Sequence, residues 1–276
     1  MDTMADRFRS IRFRGAGHRH GPITRLISPG QEGHWLKPFI FLDYVDAPAG
    51  AGPRFGFHPH SGIATLTFPL SFDVEHEASN GQIDSVRQGG VEWVLAGSGI
   101  WHRGQPKASG ALTGFQLWFA MPPSAELAVP YTRFIQPEAV PREGPVTVLM
   151  GTQGPLVSPL RPPLDANLLW VELAAGDVWD YAPPHAHSVA WCFVQSGDVE
   201  VSGERLNREL VIFEEGSGPL CFRAVTRCEF LLGSAAKHPH ELVLGTHSVH
   251  TSEQALHVGM RRIEEIGDVL RASGQL

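Results

Sequence analysis

The sequence predicts an all-β protein built from two related β-barrels and a helical tail. Short runs of apolar and β-branched residues recur along the chain, and clusters of Gly, Asn, Ser and Gln separate them. The 30 glycines and 22 prolines are scattered rather than clustered, which suits many short strands and turns and disfavours long helices. A weak internal repeat, described below, indicates that there are two barrels.

Four runs in the first half of the chain have the length and residue types of strands. They are residues 64–70, 82–86, 91–96 and 112–119. Turn-forming residues separate them at positions 79–81, 88–90 and 97–99. Several of these runs alternate apolar and polar residues, and regular short strands of this kind are typical of a sandwich or barrel.

Residues 136–145 are rich in Pro, Glu and Gly and are predicted to be a linker. Strand-like runs resume after it at residues 146–150, 168–173, 189–194 and 228–232. The sequence therefore predicts an N-terminal domain at residues 1–135 and a C-terminal domain at residues 146–276, which carries the helical tail.

The internal repeat joins residues 58–75 to residues 185–200. Both segments contain His-x-His-Ser, an apolar strand and Asp-Val-Glu. Two related barrels would explain this similarity. Chance similarity between two β-rich segments is the alternative.

The tail differs from the rest of the chain, because its apolar residues follow helical spacing. Thr251 and Gln254 fit a capping box at the start of a helix. Four apolar residues then fall near one helical face: Leu256, Ile263, Ile266 and Leu270. Gly259 and Gly267 interrupt the pattern, so the sequence allows one helix or two short ones.

Composition limits the class of function. Lys and Arg total 22 and Asp and Glu total 29, so the formal net charge is −7. A chain this acidic lacks the broad basic face of a protein that binds nucleic acid directly. Residues 1–15 are charged and unlike a signal peptide, and no apolar run reaches membrane-spanning length. We therefore expect a soluble cytoplasmic protein whose three cysteines are reduced thiols.

Three histidines form the most informative motif. His58 and His60 are two residues apart, and His102 follows in a later strand-like segment. In an extended strand, residues i and i+2 point to the same face, so two imidazoles would share one space that a third can enter from a neighbouring strand. Three neutral imidazoles suit Fe(II), Zn, Mn or Ni. His-x-His also occurs by chance in a chain with 14 histidines.

Four segments in order resemble the signature of the pirin family. They read FHPHSGIATLT, VEHEASNG, GGVEWVLAGSGIWH and GFQLWFAMP, and KPFIFLD resembles the family's entry segment. The resemblance covers nearly the whole chain. It implies two tandem cupin domains, which are jelly-roll-like β-barrels, and a metal site in the N-terminal one with Fe(II) preferred. Three of the family's ligands map onto His58, His60 and His102.

The resemblance also exposes a departure at the fourth ligand. The family has a Glu two residues after the third His, where this chain has Gly104. Cupins more broadly place a Glu at the position of Ala64. Three histidines can still hold a divalent ion, with lower affinity and with water at the open positions. Gln105 and Glu92 are candidate substitutes for the missing ligand. Gln105 is out of phase by one residue, however, and the favoured alternative for Glu92 is a polar residue that faces solvent or a pocket wall.

The second His-x-His motif lacks a partner. His185 and His187 repeat the first motif, but residues 216–233 contain no third histidine. We therefore expect a structural or pocket-lining role for both. The five histidines near the tail have no ligand spacing, and we expect them to be surface or hydrogen-bonded residues: His238, His240, His247, His250 and His257.

The resemblance implies two kinds of function. One is a dioxygenase that cleaves a flavonol such as quercetin at the metal. Trp101, Trp93 and Phe57 are candidate pocket walls, and a place in the buried core is the favoured alternative for these aromatic residues. The other is a regulator without enzymatic activity that binds a protein partner through a metal-loaded or metal-free barrel. Because cupins host many functions, the fold alone does not choose between them.

Overall fold

A computed structural model describes residues 8–52 and 56–276. The expectation about a signal peptide concerns residues 1–15, of which 1–7 lie outside the described residues. The strands, in chain order, are β1 Ile11–Gly15, β2 His18–His20, β3 Ile23–Ile27, β4 Phe39–Ala47, β5 His58–His60, β6 Ile63–Pro69, β7 Asp73–Ala78, β8 Ile83–Val86, β9 Val91–Leu95, β10 Ile100–Lys107, β11 Leu112–Ala120, β12 Tyr131–Ile135, β13 Arg142–Glu143, β14 Val146–Met150, β15 Thr152–Gln153, β16 Leu156–Val157, β17 Ala166–Leu173, β18 Val178–Tyr181, β19 Val189–Ser196, β20 Val199–Val201, β21 Glu204–Leu206, β22 Leu210–Phe213, β23 Leu220–Ala224, β24 Cys228–Ala235, β25 Val243–Gly245 and β26 Ser248–His250.

The helices are few, as the composition predicts. They are α1 Glu32–Leu36, a 3₁₀ turn at Pro137–Ala139 and α2 Glu253–Ala272. Among the helices in the described part of the chain, none is long and apolar enough to cross a membrane.

Contacts divide the chain into two compact units. The first barrel comprises His18–Ala139 and His238–Leu276. The second barrel comprises Met1–Gly17, of which residues 8–17 are described, and Val140–Lys237. The boundary at residue 139 lies within the segment 136–145 that the sequence marks as a linker.

The first barrel is formed by two antiparallel sheets. Seven strands are ordered β12-β9-β6-β11-β4-β3-β2, and four are ordered β5-β10-β7-β8. Apolar side chains fill its interior, including Ile63 and Val94, which are fully buried.

The second barrel repeats this arrangement. Its seven-stranded sheet is ordered β1-β22-β19-β24-β17-β14-β13, and its four-stranded sheet is ordered β18-β23-β20-β21. One large apolar cluster, which includes Tyr181 and Phe230, occupies the space between the sheets. The prediction of an all-β chain with two cupin-like barrels and a C-terminal helix is confirmed.

Both ends of the chain pair with the barrel more distant in sequence. Strand β1 pairs antiparallel with β22 of the second barrel. The tail, residues 238–276, belongs to the first barrel, whose apolar core includes Val249. The sequence-based boundaries, 1–135 and 146–276, place each end with its nearer barrel, because local patterning carries no information about long-range pairing.

The tail contains one helix, and its cap differs from the prediction. Ser252, not Thr251, is the N-cap, and its side chain accepts a hydrogen bond from the Ala255 amide. The Thr251 hydroxyl instead donates to Glu126 Oε1 at 2.6 Å. The predicted capping box is therefore wrong, because a tertiary contact takes the hydroxyl that the local pattern assigned to the helix.

Candidate metal centre

Strands β5 and β10 bring the three predicted histidines together. The strands are antiparallel, with His102 opposite His58 and Ile100 opposite His60. The ring centroids of His58 and His102 are 4.6 Å apart, and those of His60 and His102 are 5.2 Å apart. One ligand atom from each residue lies within 4.8 Å of the others.

Burial keeps these imidazoles neutral. Burial lowers the pKa of His60 to about 3, and it holds the pKa of His102 well below its usual value. Burial is also the main reason that the pKa of the half-buried His58 is lowered. A neutral imidazole keeps a lone pair, which a metal ion requires.

Backbone carbonyls select the donor nitrogen in two of the three rings. His58 Nδ1 lies 2.9 Å from the Gly56 carbonyl oxygen, and His60 Nδ1 lies 3.0 Å from that of His247. A carbonyl can only accept, so each Nδ1 carries the proton and donates it. The lone pair is then on Nε2, which is the arrangement of a metal-binding histidine.

His102 has the strongest need for an additional partner. It is 2% exposed, and neither of its ring nitrogens makes a hydrogen bond to any residue that the structure describes. A buried polar atom left without a partner costs about 1–3 kcal/mol. A metal ion bound beside His58 and His60 would satisfy it, so the donor set fits a divalent transition metal.

The usual carboxylate positions do not supply a fourth ligand. Gly104 lies on β10 two residues after His102, on the same face, and is paired with His76 on β7. Ala64 is fully buried on β6. Gln105 is exposed, as expected from its phase in the strand.

Glu92 is a buried carboxylate in the wall of the same pocket. It is 3% exposed, and the Thr67 hydroxyl donates to its Oε2 at 2.6 Å. Its Oε1 lies 2.6 Å from His76 Nδ1, without hydrogen-bond alignment. Of the two expectations for Glu92, the pocket wall is the one observed.

Sequence reasoning did not single out His76. Its ring centroid is 5.4 Å from that of His102, and the residue is 1% exposed. The available signal was the alternation along β7, where Val74, His76 and Ala78 are buried between more exposed neighbours. That alternation places His76 inside the barrel, close to the site.

A pocket of about 70 Å³ lies beside the histidines. Its walls include His58, His102, Glu92 and Gly104, and the remaining walls are mainly apolar, with Phe72 and Phe115 as the aromatic rings.

Trp93, Trp101 and Phe57 were the predicted aromatic walls, and none lines this pocket. Trp93 is fully buried in the core against Phe119. The indole of Trp101 donates to the Ile263 carbonyl of α2 at 2.7 Å, so it faces the helix. The pocket-wall interpretation is wrong, because strand phase places the tryptophans away from the histidines, and for Trp93 the favoured alternative of a buried core position is the one observed.

The comparisons with known proteins show the family of this chain. The sequence model of the family Pirin matches residues 22–119, the segment that holds the three histidines. A Pseudomonas aeruginosa protein with the provisional name quercetin 2,3-dioxygenase is 33% identical over 243 residues, covering 82% of this chain and 84% of that protein. The chain belongs to the pirin family.

Two solved structures share the fold of this pirin. Quercetin 2,3-dioxygenase from Acinetobacter baumannii superposes with a TM-score of 0.82 at 22% identity, covering 96% of this chain and 98% of that one. A bacterial pirin from Escherichia coli in complex with nickel(II) superposes with a TM-score of 0.63 at 21% identity, covering 83% and 98%.

In the second barrel of this pirin, one histidine of the His-x-His motif has the expected structural role. His185 is exposed. His187 is buried, with Nδ1 2.8 Å from the Ser234 hydroxyl and Nε2 2.9 Å from Asp165 Oδ1. Both ring nitrogens of His187 are therefore engaged. Within residues 8–52 and 56–276, the cluster at His58, His60 and His102 is the one that could hold a metal.

The tail histidines are surface or hydrogen-bonded residues, as expected. The His238 ring is bonded to the Met121 carbonyl at 3.2 Å, the His250 ring lies 3.0 Å from the Ser61 hydroxyl, and His240, His247 and His257 are exposed. His247 and His250 also lie beside β5, the strand that carries His58 and His60. No sequence spacing signals this, because His60 and His247 are 187 positions apart.

Proposed function

We propose that this pirin is a metal-dependent dioxygenase of the quercetin 2,3-dioxygenase type, with a divalent metal held by His58, His60 and His102. The observation that carries the proposal is the set of three clustered, neutral imidazoles, two of them buried and His58 half-buried, of which two have Nδ1 engaged by carbonyls. Fe(II) is the preferred metal, and Zn, Mn and Ni fit the same donor set. When bound, the metal would supply Lewis-acid activation of a substrate hydroxyl and coordination positions open to O₂.

The names of two similar proteins support a flavonol-like substrate. The Pseudomonas aeruginosa relative carries the provisional name quercetin 2,3-dioxygenase, and the Acinetobacter baumannii structure carries the name quercetin 2,3-dioxygenase. In this chain, Phe72 and Phe115 offer aromatic surfaces for a flat ring.

The size of the pocket limits how a flavonol would lie in it. Ligand pockets usually have volumes of about 300–1,000 Å³, whereas this one has about 70 Å³. It would therefore hold only the part of the substrate that bears the reacting hydroxyl. Val45 and Gln116 line the pocket and are half-buried. The rest of the bound substrate would therefore extend out of the pocket past these two residues.

Two carboxylates line the pocket, and they differ in availability. Asp43 is paired with the Arg25 guanidinium through two hydrogen bonds. Glu92 has no guanidinium or ammonium partner among the described residues; its basic neighbour is the His76 imidazole, and we assign Glu92 the proton that the substrate hydroxyl loses. Because the Thr67 hydroxyl holds Glu92 in the pocket wall, we expect slower turnover than with a carboxylate at position 104. A well-placed acid or base contributes about 10²–10⁴-fold in rate.

Metal analysis of single variants tests the location of the site. We expect His58→Ala, His60→Ala and His102→Ala proteins to lose bound metal. His187→Ala is the matched control, since it removes a buried histidine from the second barrel, and it should retain metal. Loss of metal from His187→Ala with retention in the other three would overturn the assignment.

Quercetin decay with coupled O₂ uptake tests the reaction. Protein loaded with Fe(II), Mn(II) or Ni(II) should consume both quercetin and O₂, and His60→Ala should consume neither. Turnover that persists in His60→Ala would exclude a metal-centred reaction. Absence of turnover in protein shown to be loaded would favour the regulatory hypothesis.

A further inference from the structure

The tail of the chain reaches the back of the candidate metal centre. The hairpin β25–β26 turns at Thr246 and His247, and His247 has a φ of +62°. Its carbonyl oxygen is the acceptor for His60 Nδ1 at 3.0 Å. The residue that sets which His60 nitrogen faces the site is therefore in the tail.

A buried polar network locks this hairpin to the strand that carries His60. Ser61 donates to the Ser248 hydroxyl at 2.9 Å and lies 3.0 Å from His250 Nε2. The carboxylate of Glu126 accepts from the Thr251 amide at 2.7 Å, and it lies 3.2 Å from His250 Nδ1. Ser61, Ser248 and His250 are each at most 1% exposed, so the network excludes water and allows little movement.

The network has the residue types of a Ser-His-Glu nucleophilic triad, but burial argues against that use. Ser61 is 0% exposed and Glu126 is 3% exposed, so a substrate could not reach the hydroxyl. The two partners of Ser61, Ser248 and His250, both come from β26. The network therefore attaches the hairpin β25–β26 to the segment that directly follows β5, the strand that carries His60.

Helix α2 supports the same strands from their outer face. A Cβ at Gly259 would lie 2.4 Å from Ser61 Oγ, and a Cβ at Gly267 would lie 2.9 Å from the Trp101 ring. Trp101 precedes the ligand His102, and its indole donates to the Ile263 carbonyl at 2.7 Å. The two glycines that weaken the helix in sequence are thus positions of close approach to the ligand-bearing strands.

We propose that the C-terminal segment, residues 243–272, supports the metal centre in the first barrel by fixing the orientation of His60. It positions His60 by holding its Nδ1–H on the His247 carbonyl, and the network around His250 holds that carbonyl in place. This inference rests on the proposed metal site. Groups that hold metal-binding histidines in this way typically change metal affinity about 10–100-fold when they are lost.

The test compares His250→Ala with His238→Ala. His238 is a buried histidine in the same tail, 5% exposed, and it bonds the Met121 carbonyl rather than the metal strands. Ni(II) affinity is measured by competition with a chelator, and the visible absorption of Co(II)-loaded protein reports the ligand geometry. Thermal unfolding of the metal-free proteins measures stability separately.

We expect His250→Ala to bind Ni(II) about 10–100-fold more weakly and to alter the Co(II) spectrum. His250→Gln, whose amide can still donate to Ser61, should recover most of the affinity. His238→Ala should lose stability but keep the wild-type affinity and spectrum. If His250→Ala does not fold, Glu126→Gln replaces it in the test, because the amide removes the carboxylate charge with almost no change in shape. Glu126→Gln should also bind Ni(II) more weakly than the wild type.

The outcomes separate the two proposals. Suppose that the wild type binds Ni(II) and His58→Ala does not. Equal Ni(II) affinities of His250→Ala and His238→Ala would then refute the positioning role alone. Equal affinities of Glu126→Gln and the wild type would refute it in the same way. If the wild type binds no metal, or if His58→Ala binds it as tightly, both the metal site and the role of the tail are wrong.

Discussion

Gly62 offers a quantitative test of the contact between the tail and the first barrel. It lies two residues after the end of β5 and has a φ of +76°. A Cβ at this position would lie 2.1 Å from the Val249 carbonyl oxygen and 2.7 Å from two ring carbons of His250. Gly62→Ala should therefore strain the backbone and also push against the hairpin.

Gly81 is the matched control, because its φ is +84° and a Cβ there would meet nothing within 4 Å. Both substitutions carry the cost of a left-handed residue with a side chain, about 1–2 kcal/mol. Gly62→Ala adds an overpacking cost of about 1–3 kcal/mol. We expect Gly81→Ala to lose about 1–2 kcal/mol and Gly62→Ala about 2–5 kcal/mol of unfolding free energy.

Scanning calorimetry of metal-free protein measures the difference. For a unit of this size, a loss of 1 kcal/mol lowers Tm by about 2–4 °C. The expected decrease is then about 2–8 °C for Gly81→Ala and about 4–20 °C for Gly62→Ala, with Gly62→Ala always the larger. Equal decreases in Tm would mean that the hairpin does not pack against Gly62. The tail would then not lie beside β5, which carries His58 and His60.

Three further predictions concern the empty ligand position, the second barrel and the thiols. Gly104→Glu should raise Ni(II) affinity in chelator competition, since its φ is not left-handed and the nearest atom to a Cβ there is 3.4 Å away; unchanged affinity would show that β10 cannot direct the carboxylate. His187→Ala should cost roughly 2–4 kcal/mol in urea unfolding because one buried hydrogen bond to Ser234, one partly buried hydrogen bond to Asp165 and packing are lost, and a neutral effect would contradict this structural role. Of the three thiols, Cys221 is half-buried and should react first with a thiol reagent. Cys192 should react only after unfolding because burial raises its pKa, and Cys228 should behave likewise because burial raises its pKa to about 11; rapid reaction of Cys192 in native protein would contradict its burial.

The strands and the histidine triad could be predicted from the sequence because they depend on local periodicity. Alternation of side chains along a strand places His58 and His60 on one face whatever the rest of the chain does. The same rule correctly places Gln105 on the opposite face from His102. The resemblance to the pirin family then connected these residues to His102 and identified Gly104 as the empty fourth position.

Local pattern misjudged residues whose partners are distant in sequence. Trp101 was a candidate pocket wall, but strand phase turns it away from His102, and its indole donates to the Ile263 carbonyl, 162 positions away. Thr251 has the position of a helix cap, but its hydroxyl donates to Glu126. For Thr251, a tertiary hydrogen bond outweighs a local preference of comparable energy.

The sequence by itself determined the all-β class, the two barrels, the three clustered imidazoles and the missing carboxylate. Tertiary structure alone decided that the tail joins the first barrel, that Glu92 and His76 lie beside the site, and that the His247 carbonyl holds His60. The physical reason is that strand and helix periodicity is encoded within a few residues, whereas the pairing of segments depends on packing and buried hydrogen bonds between residues as far apart as 60 and 247.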